Sequence, residues 1–337
     1  MNFAFSVVPG KIVHRLVHEH MGECISRVEE AYLAHSAGKS LNPPSYFLLF
    51  PEKPRDRIIA LPAYLGGETN VSGIKWIASY PENVQHGFPR ASAVLVLNSY
   101  ETGYPFACLE SSIISAARTA ASAVLGARWI NHGSRRARTL GIVGNGLIAR
   151  YVYQFFLGDG WEIDEVQLYD TAEGEASRFA STVCQPQQHQ RITCASGLES
   201  LLSSSDLIVL TTVAATPYIH DKALLAHNPI VLNISLRDIA PELILSSYNI
   251  VDDVEHVMKA NTSPHLAEMQ SGGRAFVTGT IADLIQGRCQ VDRQRPTIFS
   301  PFGMGILDLA VGKWIYDLAT KSGECTQIPD FFYETTR

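Results

Sequence analysis

Apolar residues recur at helical spacing from about Ile12 to Ala37, with Arg27, Glu29 and Glu30 interleaved, which predicts a helix there. "LNPPSYF" ends that pattern and reads as a loop. Three apolar runs follow, "RIIALPAYL", "SGIKWIASY" and "ASAVLVLNS", separated by "GGETN" and "ENVQHGFPR", with "YETGYP" as a turn after the third. Short runs bounded by turn residues predict an antiparallel sheet. After "GYPFACLE" the rhythm changes. A helix rich in Ser and Ala, Ser111 to Ile130, leads into "TLGIVG", "EVQLYD", "RITCA", "LIVLTT", "IVLNIS" and "NIVDD", with helical or loop segments between them. Strands alternating with helices predict a parallel, doubly wound sheet. The last segment, "GMGILDLAVGKWIYDLATKSG" from Gly303, is again amphipathic and helical, and its position suits a return to the first half. There is no internal repeat and no low-complexity tract.

A chain of 337 residues exceeds what one hydrophobic core supports, so two domains are expected. With 46% hydrophobic and 18% charged residues it should be folded throughout. The net charge of -6 leaves no whole-chain electrostatic footprint for nucleic acid or an anionic membrane, so the expected ligand is small. Cys24, Cys108, Cys184, Cys194, Cys289 and Cys325 form no CxxC pair, which suits reduced thiols in a cytoplasm. The N-terminal apolar run has neither a basic region before it nor a small-residue cleavage site after it, so no signal peptide is expected. Arg118 and Arg128 inside the Ser111 to Ile130 helix argue against a membrane span. His14, His18 and His20 lack an HExxH arrangement, and no metal is expected.

"GIVGNGLIAR" carries the clearest chemistry. A dinucleotide-binding turn needs an apolar strand, a glycine for the bend, a second for close approach of a pyrophosphate, and a small residue where helix meets sheet. Here "TLGIV" is followed by Gly144, Gly146 and Ala149, then by helix formers. The start of that helix offers N–H groups and partial positive charge to phosphates. Asp170 closes the next strand, 24 positions after Gly146, near the spacing at which an acid holds a ribose 2′-hydroxyl and repels a 2′-phosphate. The expected cofactor is NAD, although Arg178 stands nearby; the other reading of Asp170 is a cap for the following helix.

Two cations sit in apolar or small-residue settings: Lys75 between Ile74 and Trp76, and Arg118 in "SAARTAAS". Each should meet a carboxylate, from the protein or from a substrate. Arg90 before "ASAVLVL", with Arg55 and Arg57 before "IIALP", adds further positive charge near strand ends. Asp238 follows the strand "IVLNIS" and suits either proton transfer or a cap on the helix starting "APELI".

The set "SGIKW", "ESSIISAARTAA", "GIVGNGLIAR", "NISLRD" and "PFGMGILDLA" resembles, in order and spacing over nearly the whole chain, the ornithine cyclodeaminase and mu-crystallin family. "RIIALPAYLGG", "SGIKWI", "RASAVLVLN" and "TPYI" look most like its N-((2S)-2-amino-2-carboxyethyl)-L-glutamate dehydrogenases, which make 2,3-diaminopropionate for siderophores and peptide antibiotics. The resemblance implies the fold class α/β: a Rossmann-type doubly wound parallel sheet plus an α+β substrate-binding and dimerisation domain. Residues 1–115 and 305–337 would form the latter, and residues 116–304 the NAD-binding domain. It implies a homodimer, Lys75 and Arg118 on a substrate carboxylate, Asp238 activating water or moving a proton, and Ser92 near the substrate, with Arg90 as added positive charge. The cofactor set is then Gly144, Asn145, Gly146, Leu147, Ile148, Asp170, Thr212, Ser235 and Thr119. Ornithine-using members carry a glutamate in the strand where this chain reads Ile58, Ile59, Ala60, Leu61, Pro62, and an arginine ahead of it, in a region that here reads "LNPPSYFLLF". Cyclodeaminase, imine reductase and alanine dehydrogenase chemistry remain alternatives within the family, and a non-catalytic nucleotide-dependent binder like mu-crystallin is one outside enzymes.

Overall fold

The computed structural model describes residues 4–333, which divide into two compact units, residues 4–118 with 304–333 and residues 119–303. Each unit contains an eight-stranded sheet among the described residues.

In the first unit the strands are β1 (Phe5–Val8), β2 (Ser40–Leu41), β3 (Tyr46–Phe50), β4 (Lys53–Leu65), β5 (Val71–Ser79), β6 (Ala91–Ser99) and β7 (Pro105–Glu110), with a C-terminal strand Thr326–Ile328. The order is C-terminal strand, β1, β7, β6, β5, β4, β2, and β3 also pairs with β4. Every pairing is antiparallel except β1 with β7. The three runs read as strands form β4, β5 and β6. The register aligns Leu61, Lys75, Leu95 and Leu109 in one row across β4 to β7, and Tyr46, Ala60, Trp76 and Val94 in the next row across β3 to β6. Adjacent rows face opposite sides of a pleated sheet. The helices cover the first face, where Leu95 and Leu109 are fully buried; Tyr46, Trp76 and Val94 on the other face are exposed.

Three features differ from the sequence expectation. The first helix is two, Gly10–Glu19 and Met21–Ser36, broken at His20 (φ −134°, ψ 41°). Buried Val13, Leu16 and Val17 and then Cys24, Ile25 and Val28 stay in helical phase across the break, so periodicity does not reveal it. "LNPPSYF" contains the last residue of β2 and the start of β3, its prolines lying between the two strands. The final helix Gly305–Lys321 is less amphipathic than its sequence suggests: Gly305 to Gly312 are all buried, because this turn pair lies on β4, β5 and β6. A Cβ on Gly312 would stand 2.1 Å from Leu95 Cδ2, so this glycine lets the helix approach β6 closely.

In the second unit β8 (Arg136–Val143), β9 (Glu162–Tyr169), β10 (Arg191–Cys194), β11 (Leu207–Leu210), β12 (Ile230–Asn233), β13 (Tyr248–Val251), β14 (Val277–Thr280) and β15 (Thr297–Ser300) are ordered 10-9-8-11-12-15-13-14. All pairings are parallel. The six strands read from the sequence are present. β14 and β15, four residues each and without an extended apolar run, were not expected. The chain runs outward from β8 to β10 and resumes on the other side of β8 at β11, a reversal whose crevice is where open sheets of this kind bind ligands.

The Ser112–Ile130 helix passes from the first unit to the second after Arg118. In the second unit it is buried from Ala120 through Ala127, and Gly126 lies against the Phe299 ring of β15. No helix among the described residues is long and apolar enough to cross a membrane. A Cβ on Gly126 would fall 2.5 Å from Phe299 Cδ1. Gly126→Ala should therefore destabilise the protein by roughly 1–3 kcal/mol through overpacking, seen as a lower urea midpoint; an unchanged midpoint would show that the ring yields freely.

Candidate functional site

Lys75 and Arg118 are brought together within the first unit by a carboxylate that sequence reading did not single out, Asp308. Lys75 lies in register with Leu95, and Gly312 of the final helix rests on Leu95, so Asp308, one turn earlier, stands over Lys75. Lys75 Nζ donates to Asp308 Oδ2 at 2.7 Å and to Ser115 Oγ at 3.2 Å. Arg118, three positions after Ser115 on its helix, holds Nε 3.5 Å from Asp308 Oδ1. Lys75 is 2% and Asp308 0% exposed, whereas the Arg118 side chain keeps 14%. Arg118 Nε and Asp308 Oδ1 are buried and make no hydrogen bond. Burial pulls the Lys75 ammonium down to about 8; Asp308 opposes that fall and Arg118 adds to it.

Arg90, Arg57 and Ser92 form no ion pair or hydrogen bond with this trio among the described residues. Arg90 is exposed where β6 begins, with Arg57 close enough for its charge to be felt. Ser92 is in register with Ala78, and the pleat turns its side chain to the sheet face opposite Lys75.

In the second unit, Gly144 closes β8 with φ +84°, a conformation that disfavours a side chain, and a Cβ there would lie 2.9 Å from the Thr211 carbonyl. Gly146 precedes the Leu147–Gly158 helix, has open space where a Cβ would be, and leaves the helix start without a side-chain cap. Ala149 is fully buried. These residues fit a pyrophosphate: the backbone is approachable and its first N–H groups are not consumed by a capping side chain. The Asn145 side chain is buried, Leu147 is exposed and Ile148 half-buried.

Asp170 does not cap the next helix, whose N-cap is Gly174. One of its oxygens accepts the Asn145 N–H at 2.6 Å and the other the Ala172 N–H at 2.9 Å, tying the end of β9 to the glycine turn. Arg178 donates to Glu175 and to the Asn145 carbonyl. Thr119 is half-buried on the Ser112–Ile130 helix, directly after Arg118.

Asp238 is likewise not a cap: the helix Pro241–Leu245 has Ala240 at its N-cap. Its carboxylate is buried and accepts three hydroxyls, Thr212 Oγ1 at 2.8 Å on Oδ1, and Ser235 Oγ at 2.5 Å and Tyr218 OH at 3.1 Å on Oδ2. The hydroxyls of Thr212 and Ser235, expected on a cofactor, are thus directed at Asp238. Tyr218 was missed as a site residue; a parallel bridge between Ile219 and Ile239, with Tyr218 N–H donating to the Asp238 carbonyl, draws it in. Leu236 in the intervening turn has φ +79°, an uncommon conformation for a side chain of its size, held by Ser263 N–H on its carbonyl. Burial raises the Asp238 carboxyl above its ordinary range, and the three donated bonds oppose the rise. A carboxyl raised in this way is a better proton acceptor than an exposed one. Among the described residues no cluster of three or more His, Cys, Asp or Glu is able to hold a metal.

An N-((2S)-2-amino-2-carboxyethyl)-L-glutamate dehydrogenase of Staphylococcus aureus is 29% identical over 89% of this chain and 91% of its own length. An alanine dehydrogenase of Archaeoglobus fulgidus is 27% identical over 92% and 94%. The solved structure of an archaeal alanine dehydrogenase dimer with bound NAD matches with a TM-score of 0.85 and 26% identity, over 98% of this chain and all of that one. The model of the ornithine cyclodeaminase/mu-crystallin family matches residues 11–323, and the chain belongs to that family.

Proposed function

We propose that this chain is an NAD-dependent dehydrogenase that cleaves N-((2S)-2-amino-2-carboxyethyl)-L-glutamate into 2-oxoglutarate and L-2,3-diaminopropionate, supplying a siderophore or peptide antibiotic. The observation that carries the reading is the buried trio of Lys75, Arg118 and Asp308, two cations against one carboxylate, a setting that favours an incoming anion. The substrate brings three carboxylates. Arg90, with Arg57 beside it, supplies positive charge for another of them. The similarity to the Staphylococcus aureus dehydrogenase supports the same choice.

The glycine turn supports NAD: Gly144, Gly146 and the main chain of Asn145, Leu147 and Ile148 hold the pyrophosphate, and Asp170 takes a ribose hydroxyl. Thr119, Thr212 and Ser235 complete the cofactor contacts, the last two through main-chain atoms because their hydroxyls serve Asp238. NAD, when bound, supplies the acceptor for the hydride on the glutamate Cα. Lys75 and Arg118 fix the substrate by a carboxylate, so that its Cα–H is held in one orientation. Loss of that hydride would leave an iminium between Cα and the bridging nitrogen, which keeps its N–H. Asp238 would take a proton from the water that adds to this carbon and pass it to the nitrogen; the C–N bond then breaks as the new carbon-bound hydroxyl loses its proton, giving 2-oxoglutarate and diaminopropionate.

The first unit, which includes Arg118, serves as the substrate and dimerisation domain, and the second as the NAD domain. The protein acts as a cytoplasmic homodimer; exposed Tyr46, Phe47, Leu48, Leu49, Trp76 and Val94 in the first unit support such an interface. Alanine oxidation is the second reading, favoured by the similarity to the archaeal alanine dehydrogenases. Alanine, with one carboxylate, leaves Arg90 without a task. Ornithine cyclisation is disfavoured because Ile58 to Pro62 carry no acid to grip a distal ammonium group.

Incubation with NAD and the synthetic conjugate, with alanine and ornithine run in parallel, should give NADH, 2-oxoglutarate and diaminopropionate from the conjugate alone. NADH and pyruvate from alanine, or proline from ornithine, would replace the reading by the corresponding activity. Asp238→Asn should keep NAD affinity and lose roughly 10²- to 10⁴-fold in kcat; undiminished turnover would remove Asp238 from the reaction. Arg118→Ala should raise the KM for the conjugate far more than the Kd for NAD, and an equal loss of both would make Arg118 structural.

A further inference from the structure

Asp308 is fully buried in the first unit and, unlike Lys75 and Arg118, has been given no role toward the substrate. A buried carboxylate is costly, and its neighbourhood explains why it is tolerated: both of its oxygens face cations. The groups around Lys75 can be counted element by element. The final helix brings Asp308, the Ser112–Ile130 helix brings Ser115 and Arg118, and the flanking strands bring the apolar Leu61 and Leu95 in register. Asp308 is thus the single anion among the described groups paired with either cation. Without it, an ammonium only 2% exposed would have a neighbouring guanidinium and no paired anion, and such a group sheds its proton more readily. With it, Lys75 remains charged, the Arg118 guanidinium is aimed by its Nε edge, and the trio carries one positive charge in excess.

We propose that Asp308 is a positioning residue that keeps Lys75 protonated and orients Arg118, so that the trio presents one surplus positive charge to a substrate carboxylate. The carboxylate completes the balance at two cations and two anions. This inference rests on the reading that Lys75 and Arg118 receive a substrate carboxylate, but its first consequence, the charge state of Lys75, holds with no substrate present. The second consequence is a dependence of substrate affinity on pH. Because Lys75 binds the anion only while charged, affinity in the native protein should hold below about pH 8 and fall above it. Loss of the Asp308 charge moves that fall to lower pH, since an adjacent anion favours the protonated form.

The test compares the full-length protein with Asp308→Asn. The titration of Lys75 is followed by NMR of protein carrying ¹³Cε-labelled lysine, assigned by the signal lost in Lys75→Met, and KM and kcat for the glutamate conjugate are measured across pH. In Asp308→Asn the Lys75 midpoint should fall by at least about one pH unit, and KM near pH 8 should rise about tenfold, recovering as pH is lowered. An unmoved midpoint, even with reduced thermal stability or kcat, would make Asp308 merely structural and overturn the proposal. If Asp308→Asn does not fold, Asp308→Glu, which displaces the charge by one methylene, decides: the proposal requires both midpoint and KM to move, and unmoved values overturn it. Lys75→Met separates this inference from the functional reading. An unchanged KM in that variant would reject the carboxylate-holding role of Lys75, while the effect of Asp308 on the lysine midpoint is read independently.

Discussion

The first unit is organised around a constraint that its sequence imposes on itself: a lysine in the middle of an apolar strand must be charged and buried at once. Lys75 stands in the row Leu61, Lys75, Leu95, Leu109, on the sheet face that the helices cover. An ammonium there survives only with an anion in hydrogen-bond reach. That requirement explains several features together. The final helix is buried around its first two turns, Gly312 allows it to settle on Leu95, and Asp308 is thereby delivered to Lys75. A hydrophobic residue at position 75 would need none of this, so the arrangement is better understood as retained for binding than for stability.

The second unit solves a different problem with similar means. Asp238 is also a buried charge, but its partners are neutral hydroxyls of Thr212, Tyr218 and Ser235. Hydroxyl donors hold a carboxylate in place without fixing its charge as firmly as a cation does. One carboxylate is therefore locked to cations, and the other is left able to exchange a proton, a division set by surroundings alone. The glycine turn shows the same economy: Asp170, accepting the Asn145 N–H, ties the turn to the neighbouring strand and keeps the helix start clear of side-chain caps.

Much of the fold was legible in the sequence because its signals are local. Runs such as "LIVL" and "TLGIV" have the length and composition of buried strands, and Gly144, Gly146 and Ala149 declare a turn by spacing. Lys75 and Arg118 stood out because a charge in an apolar or small-residue stretch is costly to bury, and Asp238 because it follows the end of a strand. What escaped was set by distant partners. Asp308 sits in a helix whose sequence permits a solvated face, and only the packing of that helix on β5 reveals it as buried. Tyr218 needed the bridge between Ile219 and Ile239, which pairs residues twenty positions apart. That Ser92 and Lys75 take opposite faces of the pleat is likewise set by the register of β5 and β6 and not by either local sequence. The break at His20 left no trace, since the buried positions on either side keep one phase.

The central claim is that the Lys75, Arg118 and Asp308 trio accepts a substrate carboxylate as its missing anion. It is tested most directly by calorimetric titration of the glutamate conjugate into the protein with NADH present to prevent turnover, near pH 8, in two buffers of different ionisation enthalpy. Lys75 is only partly protonated there, and an arriving carboxylate raises its affinity for a proton. The account predicts net proton uptake on binding, seen as a heat that depends on the buffer and vanishes in Lys75→Met. A binding heat identical in both buffers would contradict it.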